Sequence, residues 1–281
     1  MKHQISTSFL VVKPSETHTE LLAEYKQLIK VLTDNKIKTL VLSRDNITTS
    51  TQYLCSCQWI SFHGKGVVSV YPMSTLERQK ERTDQVFDVL EKNNFEINDV
   101  VDFTEAEEEG FFLEGLGSVV LDHVDRVAYA SVSKRCDEEL FIEFCEELEF
   151  TPIIFKAKYS DESEVGHTSL ILSISKDFAI VGTGLIKDKK DRKLVTVELK
   201  KSGKDLIYIS EDQVLNHVAG IKQVENSSGV SFIVLSKSVL DKLSAIQTAT
   251  LEKYGELLVI DYNYTESFGG HSIGAALNDI F

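Results

Sequence analysis

Short apolar runs rich in β-branched residues punctuate the chain at 9–12, 40–42, 67–71, 119–121, 127–130, 170–174, 178–181, 206–209, 232–235 and 257–260. Each is too short for a buried helix and long enough for a buried strand. Between them lie stretches with an amphipathic helical pattern, over 16–32, 75–92, 134–148, 211–218 and 237–246. Alternation of the two patterns along the whole length predicts an α/β protein.

A recurring join ties these elements together: an apolar run ends, a serine follows and a helical stretch begins. Ser15, Ser74, Ser133, Ser210 and Ser236 all stand at such joins, where a serine oxygen can accept from an unpaired amide of the first helical turn. Ser210 has Gln213 three residues on, completing a capping-box pattern. The first two intervals, from Ser15 to Ser74 and from Ser74 to Ser133, are equal, and then the spacing breaks. That predicts a roughly fivefold repeat of a strand-and-helix unit with insertions. The alternative is a doubly wound parallel sheet, but no glycine-rich phosphate loop or dinucleotide fingerprint follows any predicted strand. The three prolines, at 14, 72 and 152, mark no linker, and the expectation is a single domain over 1–281.

Composition narrows the function classes. The chain has 281 residues, 42% of them hydrophobic, with a formal net charge of −14. Binding to nucleic acid or to an anionic membrane gains its affinity from Lys and Arg, so neither partner is expected. No run approaches the roughly 18 to 20 apolar residues of a membrane span, and residues 1–6 lack the apolar centre of a signal peptide. The expected location is therefore cytoplasmic. Cys55 and Cys57, two apart, would share one face of a strand, with no second pair at zinc spacing. Cys136 and Cys145 fall in a helical stretch and read as reduced, structural thiols. Neither a metal nor a cofactor is expected.

The candidate chemistry lies in four blocks. Glu114 follows an apolar triplet and precedes Gly115, so it belongs at a partly buried turn; His167 immediately precedes a buried-type strand. Read alone, each is as readily a core residue satisfied by the backbone. The glycine turn Gly269-Gly270 predicts a terminal helix of the kind that can present a nucleophile, and at that place stands Ala275.

Four blocks in order carry a resemblance. They are Trp59-Ile60-Ser61-Phe62-His63 with Tyr71-Pro72-Met73 and the arginine-rich segment 77–82; the segment 112–118 with Leu121-Asp122, Arg126 and Ala128-Tyr129-Ala130; Gly166-His167-Thr168; and the tail 269–281. Together they are similar to the guanidino-group-modifying (pentein) superfamily of amidinotransferases, dimethylarginine dimethylaminohydrolases, arginine deiminases and citrulline hydrolases. The likeness is nearest to its citrulline-hydrolase and amidinotransferase-like branch. It implies a pentein-type α/β-propeller, with five pseudo-symmetric ββαβ modules around a central substrate channel. It also implies a cysteine thiolate that attacks the planar carbon, a carboxylate that grips the guanidinium and a histidine that moves protons. Glu114 matches the carboxylate, His167 the histidine and Ala275 the cysteine; Gln58, Ser169, Gly270 and Ser272 match substrate-binding positions.

The departures set the functional expectation. Alanine cannot form a covalent intermediate. Cys57-Gln58 stands in place of an Asn-Asn pair, Ser169 in place of an acid or amide, and no substrate-gripping acid is evident among Gln52, Tyr53 and Leu54. Loss of an obligatory nucleophile alone removes on the order of 10⁴ to 10⁶ in turnover. The resemblance thus implies a protein that has lost thiol catalysis and binds a small guanidino or ureido ligand or a protein partner. The rival is an active hydrolase of arginine- or citrulline-type substrates, through an engineered substitution at Ala275 or a displaced nucleophile, Ser272 or Cys57. A third reading is a scaffold that uses only its outer surface.

Overall fold

The computed structural model describes residues 6–43 and 54–281; Gln52 and Tyr53 of the expected acid segment, and residues 1–5, lie outside them. The described residues form five three-stranded sheets. Four are built from consecutive strands: β3 Ile60–His63, β4 Val67–Val70 and β5 Asp99–Asp102; β6 Val119–Asp122, β7 Val127–Ser131 and β8 Thr151–Phe155; β9 Leu172–Ile174, β10 Phe178–Val181 and β11 Asp205–Tyr208; β12 Lys222–Glu225, β13 Ser231–Ser236 and β14 Glu256–Ile260. The fifth joins β1 Ser8–Lys13 and β2 Lys38–Ser43 to β15 Asn278–Ile280.

All five modules share one topology. A central strand pairs antiparallel with an inner strand and parallel with an outer one. The parallel step needs a crossover, and the helices occupy it, because a parallel neighbour cannot be reached by a tight turn. Helix Thr19–Asp34 crosses from β1 to β2 and buries Leu28 and Leu32 against Phe9 and Val11. Helix Lys189–Lys201 crosses from β10 to β11, with Val195 and Leu199 in the cluster that holds Phe178. The buried Lys204 ammonium meets the Asp122 carboxylate at 2.7 Å, tying two adjacent modules together.

Several expected boundaries shift, each for a local reason. Ser210 and Ser236 cap helices as read, Ser210 in a full capping box with Gln213. Ser74 yields its cap to Thr75, because its own hydroxyl donates to Glu114. Ser133 donates to the Gly166 carbonyl, and Asp137 starts the next helix by accepting from the Glu139 and Leu140 amides. Ser15 lies in a turn ahead of His18, where the first helix begins. The helix expected over 75–92 divides into Leu76–Gln79 and Gln85–Lys92. That expected over 237–246 stops at Lys242, and Ser244 caps a second helix, Ala245–Glu252. Cys55 precedes and Cys57 lies within a 3-10 turn, Ser56–Gln58, and not a strand.

The tail forms no terminal helix. After a π turn, Thr265–Gly269, it makes a single 3-10 turn, Gly274–Ala276, and enters β15. Among the described residues no helix is long and apolar enough to cross a membrane.

Candidate active site

Each inner strand is preceded by one short helical turn: Ser56–Gln58, Gly115–Ser118, Thr168–Leu170, Val218–Gly220 and Gly274–Ala276. The turns touch their neighbours in succession, the last against the first, the first against the second and onward to the fourth. Gly220 and Gly274 close the ring, a Cβ on Gly274 standing only 2.3 Å from the Gly220 carbonyl oxygen. The residue that opens each turn is Cys55, Glu114, His167, His217 and Ile273 in order. Pseudo-symmetry thus places His217 at the same station as Glu114 and His167.

Tight backbone approach fixes the second turn. Gly115 has φ +43°, and a Cβ there would lie 2.6 Å from the Cys57 carbonyl oxygen. Gly115→Ala is expected to destabilise the fold by about 1 to 3 kcal/mol, read as a lower denaturation midpoint; an unchanged midpoint would mean that the turns can part at no cost.

The ring surrounds a cavity of about 170 Å³ whose walls include Gln58, Arg78, Arg135, His167, His217 and Ala275. Ser169, Ser272 and the Gly269-Gly270 turn complete its rim. Glu114 sits one layer behind this wall, fully buried. Its Oε2 accepts from His167 Nε2–H at 2.7 Å and from an Arg78 guanidinium N–H. Its Oε1 accepts from the Ser74 amide at 3.1 Å and the Ser74 hydroxyl at 2.5 Å. Arg78, itself buried, also donates to Gln58 Oε1 and, through Nε at 3.1 Å, to Glu81. The Arg135 guanidinium, partly exposed, stands 3.6 Å from Glu114 Oε2.

Electrostatics follow from this geometry. Burial opposes ionisation of Glu114, but the His167 hydrogen bond and the Arg78 charge outweigh it and hold the carboxyl down at about 2. Burial also disfavours a charged His167, and Arg135 and Arg78 add to the effect; the Glu114 bond offsets only part, so the ring is neutral near pH 7. A neutral His167 that donates through Nε2 keeps Nδ1 as its acceptor nitrogen. His271 is lowered to about 3, by burial first and then by Arg78.

The structure brings His167, Ala275, Gln58, Ser169, Gly270 and Ser272 to one cavity, with Glu114 behind His167. Sequence reasoning gave no role to Arg78, Arg135 or His217, and weighed His271 only as a base for Ser272. Arg78 and His271 lie inside quoted blocks. The signal for His217 was the repeat itself, since it follows His167 at nearly the interval that separates His167 from Glu114.

The model of the family described as N,N dimethylarginine dimethylhydrolase, eukaryotic, matches residues 4–281. No curated protein matches the sequence. Among solved structures, apo ArgZ, an arginine dihydrolase from the ornithine-ammonia cycle in cyanobacteria, superposes with a TM-score of 0.73 at 12% identity, over 98% of this chain and 39% of that one. A cysteine-to-alanine mutant of AgrE in binary complex with L-arginine gives 0.73 at 14% identity, over 99% of this chain and 40% of that one. The 4-chloro-2-hydroxymethylpyridine adduct of a dimethylarginine dimethylaminohydrolase gives 0.67 at 10% identity, over 99% of this chain and all of that one. The chain thus spans about two fifths of the length of ArgZ and AgrE. The likeness is one of fold, the five-module pentein arrangement.

Proposed function

We propose, for a chain that belongs to the eukaryotic N,N-dimethylarginine dimethylhydrolase family of the guanidino-modifying pentein superfamily, a role as a binding protein that has lost thiol catalysis. The observation that carries this reading is Ala275, a methyl group on the wall of the cavity beside His167. In the superfamily chemistry a thiolate at that position attacks the planar carbon while the histidine serves the leaving nitrogen. Here the histidine keeps its carboxylate and has no nucleophile to serve.

Neither substitute supplies one. Cys57 is buried and donates its S–H to the Ala275 carbonyl at 3.3 Å; burial, the largest influence, pushes its thiol up to about 11, so it stays protonated at neutral pH. Ser272 Oγ accepts from the Ala275 amide at 3.3 Å and packs onto Gly220. Among the described residues no histidine nitrogen bonds to that hydroxyl, so no base activates it. The alanine mutant of AgrE taken into complex with L-arginine supports the idea that a pocket of this kind holds a ligand without its thiol. The ligand we propose is a small guanidino or ureido molecule; a protein partner is the alternative.

The intact Glu114–His167 pair favours a second reading, residual hydrolysis by a displaced nucleophile. Steady-state assays on arginine, citrulline and dimethylated arginine decide between the two. The expected result is release of product at the background rate. Turnover that disappears in His167→Ala would overturn the binding-protein reading.

Ala275→Cys alone is expected to stay at background. The 3-10 turn at 274–276 has no helix dipole to favour a thiolate, and the Glu114 lone pairs that a guanidinium would need are held by Ser74, Arg78 and His167. A misplacement of about 1 Å already costs ~10²-fold. Efficient turnover by this single variant, measured on the same substrates, would show that the pocket still positions them.

A further inference from the structure

The cavity wall holds polar atoms with nothing to bond. His217 opens the fourth turn with φ 59°, and one ring N–H faces the Glu266 carbonyl. Its Nδ1 is buried without a hydrogen-bond partner, and the neutral ring offers one lone-pair nitrogen. His271 Nε2 is likewise buried without a partner. Both rings line the cavity that Gln58, Arg135 and Ala275 line. Buried polar atoms are nearly always satisfied, so two orphans on one cavity wall point to a bound group. Among the described residues no group of three His, Cys, Asp or Glu could hold a metal ion there.

We propose, resting on the binding-protein reading, that the His217–His271 wall selects an uncharged ligand group that donates hydrogen bonds, a ureido or carboxamide N–H, and that the channel favours it over a guanidinium cation. Three features of the site fit this group. The Glu114 carboxylate has its acceptor positions filled by Ser74, Arg78 and His167, so no free carboxylate lone pair greets a cation. Arg78, matched by Glu114 and Glu81, and Arg135, 3.6 Å from Glu114, leave no net negative charge on the cavity to attract a guanidinium. Gln58, its Oε1 engaged by Arg78, keeps an amide NH₂ for a ligand carbonyl. A simple oxyanion would suit Arg135 but has no hydrogen to offer the lone pair of the His217 ring.

Citrulline and arginine form a near-isosteric pair that differs in this group, and acetate is the anionic control. Calorimetric titration of the intact protein with each is expected to show citrulline bound at least about tenfold more tightly than arginine, with acetate weaker than both. His217→Ala should weaken citrulline about tenfold or more. His217→Asn, which tolerates a left-handed backbone and can place an amide oxygen near the lost Nδ1, should stay within about threefold. Thermal midpoints taken alongside report on folding.

Arginine bound as tightly as citrulline, no binding of either amino acid, or an undiminished citrulline affinity in folded His217→Ala would each overturn the proposal. The first comparison needs no variant. Turnover of bound citrulline would instead strike the binding-protein reading and leave the selectivity standing.

Discussion

Arg78→Ala is expected to lower stability by about 3 to 5 kcal/mol, enough to move the thermal midpoint down by ~10 °C for a chain of this size. Arg78 is buried to 2% exposure and spans three acceptors, Glu114, Gln58 and Glu81, that lie on three separate segments of the chain. Truncation leaves the Glu114 carboxylate, at 0% exposure, without its buried cation. An uncompensated buried charge is the costly outcome of breaking such a pair, more so than the pair itself is stabilising. Arg78→Lys keeps the charge but not the planar fork that reaches three partners at once, and it should recover only part of the loss. Denaturant titration of wild type and both variants measures this. A loss below about 1 kcal/mol for Arg78→Ala would mean that water or Arg135 takes over, and that the saturated-carboxylate view of Glu114 is wrong.

The protein is expected to unfold in mild acid, between about pH 6.5 and 4.5, before the Glu114 carboxylate releases its hold. Burial, first among the causes, lowers His63 to about 3, His123 to about 4 and His271 to about 3, all from an ordinary value of 6.5. The folded state therefore takes up these protons later than the unfolded state. Stability is at its full value above 6.5 and falls with pH until the folded values are reached. At pH 5 each ring costs about 2 kcal/mol, from 1.36 kcal/mol per unit. Three rings together approach the 5 to 15 kcal/mol of a typical domain. Glu114 acts in the same direction but later, its contribution present above 4.5 and lost towards 2. Glu266 works the other way, because burial and Glu24 raise it and acid relieves the strain. Circular dichroism across this range should show a cooperative transition that His63→Gln, which can keep the bond to Ser61, shifts downward. A native spectrum held at pH 4 would refute the assignment of these rings as neutral core groups.

The central strands were legible because they are apolar on both faces, as Phe178–Val181 is; the fivefold repeat was read from the serine joins, although Ser210 follows an outer strand and not a central one. The outer and inner strands were harder to see. β5, Asp99–Asp102, is mostly exposed and offers two valines between acids, and β12 begins with Lys222, whose ammonium reaches the Leu277 carbonyl and Asp279. Helix Lys189–Lys201 was missed because only Val195 and Leu199 bury, leaving no continuous apolar stripe. At the site, residues inside quoted blocks were found by matching. Arg78 acquires its meaning from contacts 20 to 36 residues away in sequence, which no local pattern encodes. His217 was readable in principle from the repeat, but a lone histidine at a turn carries no composition signal.

The pairing of β15 with β1, Ser8 with Ile280 and Leu10 with Asn278, also sets a timetable. The first sheet stays a two-stranded ribbon, with one side of β1 bare, until residue 280 has been made. Closing so large a loop is slow relative to the local hairpins of the other four modules. During that interval the bare strand is open to pairing with another copy of the chain. The ring of turns, whose fifth member is Gly274–Ala276, is thus expected to close last.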